Sequence, residues 1–215
     1  MIDILREWWT SYVSHVSANP IMLLDPTLFL LGWLYLWFEY RASWWVWVLG
    51  IIMPALDIVL YHQTMLYGDM CLSVYYLLAA VYGLAMWKWG GHGRQHSELE
   101  ISLMPGNVAL RMLVVFFIVW GVTYYLLANY TNSNVPVTDA LTNAISIIGM
   151  WAMARKYLQQ WFVWITVDFI DIFLYAYKDL PFKAAIHVAY IVVGVLGFIK
   201  WRRMMQAQTQ LDVVK

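Results

Sequence analysis

The sequence predicts an all-α integral membrane protein: seven transmembrane helices arranged as two parallel three-helix repeats plus a linking helix, a 3+1+3 plan. Three observations carry this. Of the 215 residues, 63% are hydrophobic and 12% charged, with a mean hydropathy of +0.63, well outside the range of soluble domains. The chain offers seven apolar stretches of the length, roughly 20 residues, that a helix needs to cross ~30 Å of hydrocarbon. It also repeats itself without a gap: residues 33–89 laid on 147–203 match at Trp37/Trp151, Arg41/Arg155, Trp47/Trp161, Asp57/Asp171, Tyr61/Tyr175, Gly83/Gly197 and Trp87/Trp201. Each copy carries Asp-Ile-x-Leu-Tyr at the same place.

The elements follow in order. Residues 1–20 hold paired Trp8 and Trp9 among polar neighbours, which predicts an amphipathic helix over Ile2–Val16 on the outer interface. They lack the continuous apolar core and cleavage site of a signal peptide. Spans near 24–40, 44–63 and 67–88 make the first repeat, within 21–89. A polar, Gly-rich connector (Gly90–Ser97, then Glu98–Asn107) leads to the linking span near 108–129, and together these fill 90–134. The stretch Tyr130–Thr138 reads as a short outer loop. Spans near 137–156, 160–178 and 182–201 make the second repeat, within 135–204, and 205–215 form a tail. One extra span between two three-span copies restores the direction of the second copy. The repeats are therefore expected to be parallel, related by a pseudo-twofold axis along the membrane normal.

Charge sets orientation and excludes several classes. Arg41, Lys88, Arg94, Arg111, Arg155, Lys156, Lys200, Arg202, Arg203 and Lys215 fall on one side of the spans, against Arg6, Lys178 and Lys183 on the other. Positive residues stay inside, so the N-terminus is expected outside and the C-terminus in the cytoplasm. A formal net charge of zero advertises no nucleic-acid surface. The single Cys71 lies within a span and excludes a disulfide framework. No Gly-x-Ser-x-Gly, His-Glu-x-x-His or P-loop is present, so no catalytic residues and no enzyme activity are expected. His92 and His96 stand four apart, but without a further ligand nearby they read as a solvated loop rather than a metal site. No cofactor is expected.

The candidate site lies on the sixth span. Trp161, Trp164, Asp168, Asp171 and Tyr175 are spaced 3, 4, 3 and 4, which places all five on one helical face. The repeat-equivalent stripe of the second span carries Trp47, Gly50, Pro54, Asp57 and Tyr61, and the two stripes are expected to face each other across the axis. A carboxylate deep in a membrane needs a partner or a wet cavity, and ring faces attract cations. Trp161, Trp164 and Asp168 thus suit a flat organic cation. Other aromatics have a plainer reading: Trp44, Trp45, Trp87, Trp89 and Trp201 are expected as anchors at the membrane interface. Asp57 and Asp171, nearer the outer face, either shape a gate or bond tyrosine hydroxyls between helices. Pro54 frees a carbonyl and kinks the second span. A different class, a haem-bearing electron carrier, would use His62 and His187 as axial ligands. A third would be a receptor or assembly subunit without transport. A retinal protein would need a lysine deep in the last span, where there is none.

The residues resemble the PnuC family of bacterial vitamin transporters, which shares the 3+1+3 plan with the SWEET sugar transporters. The match runs from Gly32-Trp-Leu-Tyr-Leu-Trp37 and Arg41 through Trp45-Val-Trp47 and Gly50. It continues with Gln63-Thr-Met-Leu-Tyr67-Gly-Asp69-Met70 and Tyr82-Gly83. Its most specific part is Ala154-Arg155-Lys156, Trp161-Phe-Val-Trp164-Ile-Thr-Val-Asp168 and Leu174-Tyr-Ala-Tyr177-Lys178. The resemblance implies uptake across a bacterial inner membrane of a cationic B-vitamin precursor, nicotinamide riboside by default, with thiamine close behind. It implies facilitated diffusion, followed by trapping through phosphorylation by a cytoplasmic kinase. The carriers of nicotinamide riboside tend to place side-chain amides where this chain has Val46, Met53, Ser73 and Met150. That departure favours thiamine, whose sulfur-containing ring suits a methionine-lined surface. On this reading the bilayer and a small cationic vitamin are the partners, a homo-oligomer is compatible with the sequence, and no ion coupling is demanded.

Overall fold

The computed structural model describes residues 24–63, 67–90, 99–131, 135–177 and 181–214. The predicted helix over Ile2–Val16, His92 and His96 lie outside them. Seven helices are present: α1 (Leu24–Tyr40), α2 (Trp45–Gln63), α3 (Tyr67–Trp89), α4 (Gly106–Tyr130), α5 (Pro136–Ala154), α6 (Gln160–Tyr177) and α7 (Pro181–Val214). Among the described residues, α2, α3, α4, α5 and α7 contain stretches long and apolar enough to cross a membrane. The other two have 17 residues (α1) and 18 residues, with Asp168 and Asp171 in midcourse (α6). The expected tail over 205–215 is instead helical to Val214. At 1.5 Å per residue the 34 residues of α7 reach about 51 Å, well beyond the hydrocarbon thickness.

Packing reproduces the internal repeat. Within the first unit α1 packs on α2 and α2 on α3; within the second, α5 packs on α6 and α6 on α7. The units meet through α3 against α5 and α7 against α1. A twofold that exchanges α1 with α5 and α3 with α7 turns each of these contacts into the other. The linking helix α4 packs on α5 and buries none of its residues. Such an exposed apolar helix suits contact with lipid.

The turns after α1 and α5 are copies of one motif. Ala42 and Lys156, equivalent in the repeat, both have φ of 51°. Ala42 N–H donates to the Glu39 carbonyl and Ser43 N–H to Phe38, while Lys156 N–H donates to Met153 and Tyr157 N–H to Ala152, all at 2.9–3.0 Å. This is the Schellman closure, in which a left-handed residue lets orphan carbonyls at the helix end find partners.

Those same carbonyls knit the units together. Trp87 Nε1 donates to the Met153 carbonyl at 3.0 Å and Trp201 Nε1 to the Glu39 carbonyl at 3.0 Å. The two bonds are images of each other in the repeat. Trp47 meets Trp87 edge-on at 5.5 Å, Trp161 meets Trp201 edge-on at 5.6 Å, and Trp87 meets Trp201 at 5.8 Å across the axis. Trp87 and Trp201 are therefore buried at the core, not interfacial anchors as expected. Their indole N–H groups find carbonyls left over by the partner unit's helix end. Trp45 and Trp89 are exposed, as interfacial residues should be.

The core lies at the end where the cations gather. Lys88 sits 3.9 Å above the Trp44 ring, Lys200 4.0 Å above Tyr40, Lys156 4.5 Å above Trp87 and Arg41 4.7 Å above Trp37. The second half of the connector, expected to be a polar loop, packs on the turn after α5. Ser102 pairs with Tyr157 in an isolated parallel bridge, Ile101 is buried, and Met104 N–H donates to Gln159 Oε1 at 2.9 Å. Lys156 Nζ donates to the Leu99 carbonyl at 2.7 Å. Its buried charge is thereby solvated by backbone and ring.

Candidate functional site

The loop after α5 delivers Gln160 as the first residue of α6, so the predicted stripe starts at the packed core and climbs away from it. Trp161 is 2% exposed, its ring lying where a Cβ on Gly197 would come within 2.3 Å. Trp164 leans on Gly149, its ring 3.3 Å from where a Cβ there would be. One turn higher, Asp168 Oδ1 and His187 Nδ1 of α7 are 2.8 Å apart, and Asp171 Oδ2 is 4.0 Å from the same nitrogen. The Tyr175 ring stacks on the imidazole at 5.2 Å and 17°, and Tyr190 meets it edge-on at 5.5 Å. The predicted face thus becomes a wall whose carboxylates converge on one histidine.

A cavity of about 260 Å³ opens between α1, α6 and α7. Trp161, Trp164 and Asp168 line it, together with Tyr35, Glu39 and His187. Aromatic walls, one buried glutamate and an aspartate–histidine pair enclose a space of the size of a small flat molecule. Asp171 and Tyr175 stand behind, around His187.

The second stripe does not share this cavity. Trp47 is fully buried, with its ring 2.5 Å from where a Cβ on Gly83 would lie. Asp57 is half-buried, while Ser73 and Met150 are buried, and none of these four lines the cavity. The two stripes do not face each other across the axis, because α2 and α6 each turn toward the third helix of their own unit. The reason is a broken symmetry. The repeat equivalents of Glu39, Asp168 and His187 are Met153, Pro54 and Ser73, so the corresponding space in the other half carries no ionisable group at these places.

Four lining or adjacent groups went unnoticed in the sequence: Glu39, Tyr35 and Gln160 altogether, and His187 as a site residue. Glu39, an ionisable residue in an apolar span, met the rule that flagged Asp168. The pairing of His187 with Asp168 is a tertiary contact between helices and leaves no spacing signal. It also answers the haem alternative: His187 is engaged by Asp168, and His62 is exposed at the end of α2.

Two like units around an internal axis, with a ligand-sized, mainly apolar and aromatic cavity between helices of both that carries a few ionisable groups, define a repeat-built helical membrane protein of the transporter class. The chain belongs to the nicotinamide mononucleotide transporter family, whose sequence model matches residues 22–203. It is 29% identical over 167 residues to a nicotinamide riboside transporter PnuC of Neisseria mucosa, covering 73% of this chain and 63% of that one. The match therefore spans less than two thirds of that relative's length. To the protein of the same name from Escherichia coli it is 22% identical over 176 residues, covering 71% of this chain and 73% of the other. In structure it is similar to the crystal structure of the vitamin B3 transporter PnuC, with a TM-score of 0.66, 23% identity and coverage of 91% and 87% of the two chains. That likeness shows the fold.

Proposed function

We propose that this chain carries a small cationic aromatic vitamin or precursor across the membrane, nicotinamide riboside in the first reading, by facilitated diffusion with alternating access. The carrying observation is the cavity between α1, α6 and α7, where Trp161 and Trp164 offer ring faces and Asp168 an acidic group held by His187. Indole faces and a carboxylate recognise a flat cation by complementary terms. The cavity draws on both units, so rocking of one against the other would open it to either side in turn. The units divide as 21–89 and 135–204, with 90–134 linking them. Asp57 and Asp171 shape the outer gate. The gathering of Arg41, Lys88, Arg155 and Lys200 at the packed end supports a cytoplasmic C-terminus and an external N-terminus. A cytoplasmic kinase that phosphorylates the entering substrate would keep flux inward. The relatives' names, nicotinamide riboside transporter, support the first reading.

Thiamine uptake by the same mechanism is the second reading. It is favoured by Val46, Met53, Ser73 and Met150 standing where amides would have been expected for a carboxamide ligand, with the Met150 thioether buried. Uptake of radiolabelled nicotinamide riboside and thiamine into proteoliposomes decides between them. Transport of neither by the wild type, or undiminished transport by both Trp164→Ala and Asp168→Asn, would remove the proposal.

A further inference from the structure

The end of the cavity away from Asp168 contains polar groups that the cation-binding reading leaves unused. Glu39, on α1, is 3% exposed and lines the cavity, and its Oε1 has no hydrogen-bond partner. Gln160, fully buried, approaches the Glu39 carboxyl with its amide, yet no hydrogen bond of good geometry closes at either of its polar atoms. The indole N–H groups of Trp161 and Trp164, on the wall between, are also unpartnered. A buried carboxyl oxygen and buried indole N–H groups left without a bond are costly in any protein and more so in a bilayer. Three such groups on the wall of one cavity, Glu39 Oε1 and the two indoles, point to an absent ligand that completes them.

Their placement gives that ligand two ends. Gln160 and Asp168 are eight residues apart on α6, about 12 Å along the helix. Glu39 and Gln160 mark one end of this span, the Asp168–His187 pair marks the other, and Trp161 and Trp164 lie between. We propose that Glu39 is a specificity-determining residue, whose carboxyl accepts an N–H donor carried by the substrate at the end remote from Asp168. The chemistry it selects is a flat aromatic cation bearing an amine or a primary carboxamide, in preference to the same skeleton with a carbonyl or an acid there. The other half of the molecule offers no such acceptor, since the equivalent position is Met153. The Glu39 carbonyl accepts from both Ala42 N–H and Trp201 Nε1, so the helix end that carries its side chain is held in place before a ligand arrives.

This inference rests on the transport reading above, and its test separates the two. Tryptophan quenching of the purified protein would be titrated with thiamine and with oxythiamine, in which a carbonyl replaces the exocyclic amine. The same would be done with nicotinamide riboside and nicotinic acid riboside. The pair that the wild type discriminates tells an amine from a carboxamide as the source of the donor. Glu39→Met, which installs the side chain of the equivalent position, should weaken the N–H-bearing ligand at least tenfold and abolish its advantage over the analogue. Glu39→Gln, near in shape and still an acceptor but uncharged, should lie between and covers the case in which the methionine variant does not fold. Wild-type affinity and discrimination in both variants, or an equal loss for ligand and analogue, would overturn the role of Glu39. The transport reading would survive either result as long as Trp164→Ala and Asp168→Asn still lost binding. A wild-type protein that binds none of the four compounds overturns both.

Discussion

Trp201 donates its indole N–H to the backbone carbonyl of Glu39 at 3.0 Å, while the carboxyl of the same glutamate faces the cavity. One residue of α1 therefore holds the second unit with its main chain and lines the proposed site with its side chain. Its image, Trp87 on the Met153 carbonyl, has the same length but a thioether in place of the acid. Interface and site are thus built from one helix turn, and movement at the interface moves a wall of the cavity.

Because the two indole bonds are images, their removal should cost alike. Trp87→Phe and Trp201→Phe each keep a ring and lose one hydrogen bond between helices. We expect each to lower stability by about 0.5–1.5 kcal/mol. Thermal unfolding in detergent measures this, and a silent result at one position with a loss at the other would show that the equivalence is geometric only.

The close approach of helices within each unit depends on two glycines. A Cβ on Gly83 would lie 2.5 Å from Trp47, and one on Gly197 would lie 2.3 Å from Trp161. Neither indole has room to yield at the core. Gly83→Ala and Gly197→Ala should each destabilise by roughly 1–3 kcal/mol through overpacking. A melting temperature unchanged by either substitution would contradict the packing.

Trp161 and Trp164 allow binding to be separated from stability. Their indole nitrogens have no partner in the protein, so Trp161→Phe and Trp164→Phe remove no internal hydrogen bond. Trp164→Phe is expected to leave stability within about 0.5 kcal/mol and to weaken the ligand by about three- to tenfold, the value of one neutral hydrogen bond. Parallel melting and quenching experiments check both halves.

Asp168 and His187 form a close carboxylate–imidazole contact between α6 and α7, at 2.8 Å. Asp168→Asn keeps the shape and loses the charge. If a cation binds here, affinity should fall by at least tenfold, whereas a purely structural pair would show its loss in melting alone. His187→Ala should also loosen Asp168, Asp171 and Tyr175, which all gather on its ring.

Ala42 holds a left-handed conformation that glycine adopts without a Cβ penalty. Ala42→Gly should raise stability by up to about 1 kcal/mol. A lower melting temperature would mean that the Ala42 methyl contributes more by packing on the core than the backbone loses by strain.

Composition, span length and the repeat were enough to determine a seven-helix bundle of two like units, since lipid leaves the backbone few alternatives to the helix. They were also enough to place Trp161, Trp164 and Asp168 on one face, because helical periodicity is a local property. What only the tertiary structure decided is where the likeness ends. Trp47, Trp87 and Trp201, identical to their images in the repeat, serve the shared architecture. Trp87 and Trp201 read as interfacial anchors because no sequence rule reveals that a carbonyl of the other unit waits for each indole. The proposed chemistry sits where the halves differ: Glu39 against Met153, His187 against Ser73, Asp168 against Pro54. Even bulk changes sides, for Tyr35 lies against Gly50 in one unit and Trp164 against Gly149 in the other. A repeat imposes the same backbone twice, but a single small ligand needs only one set of polar groups, and which half supplies them is settled by side chains meeting across helices.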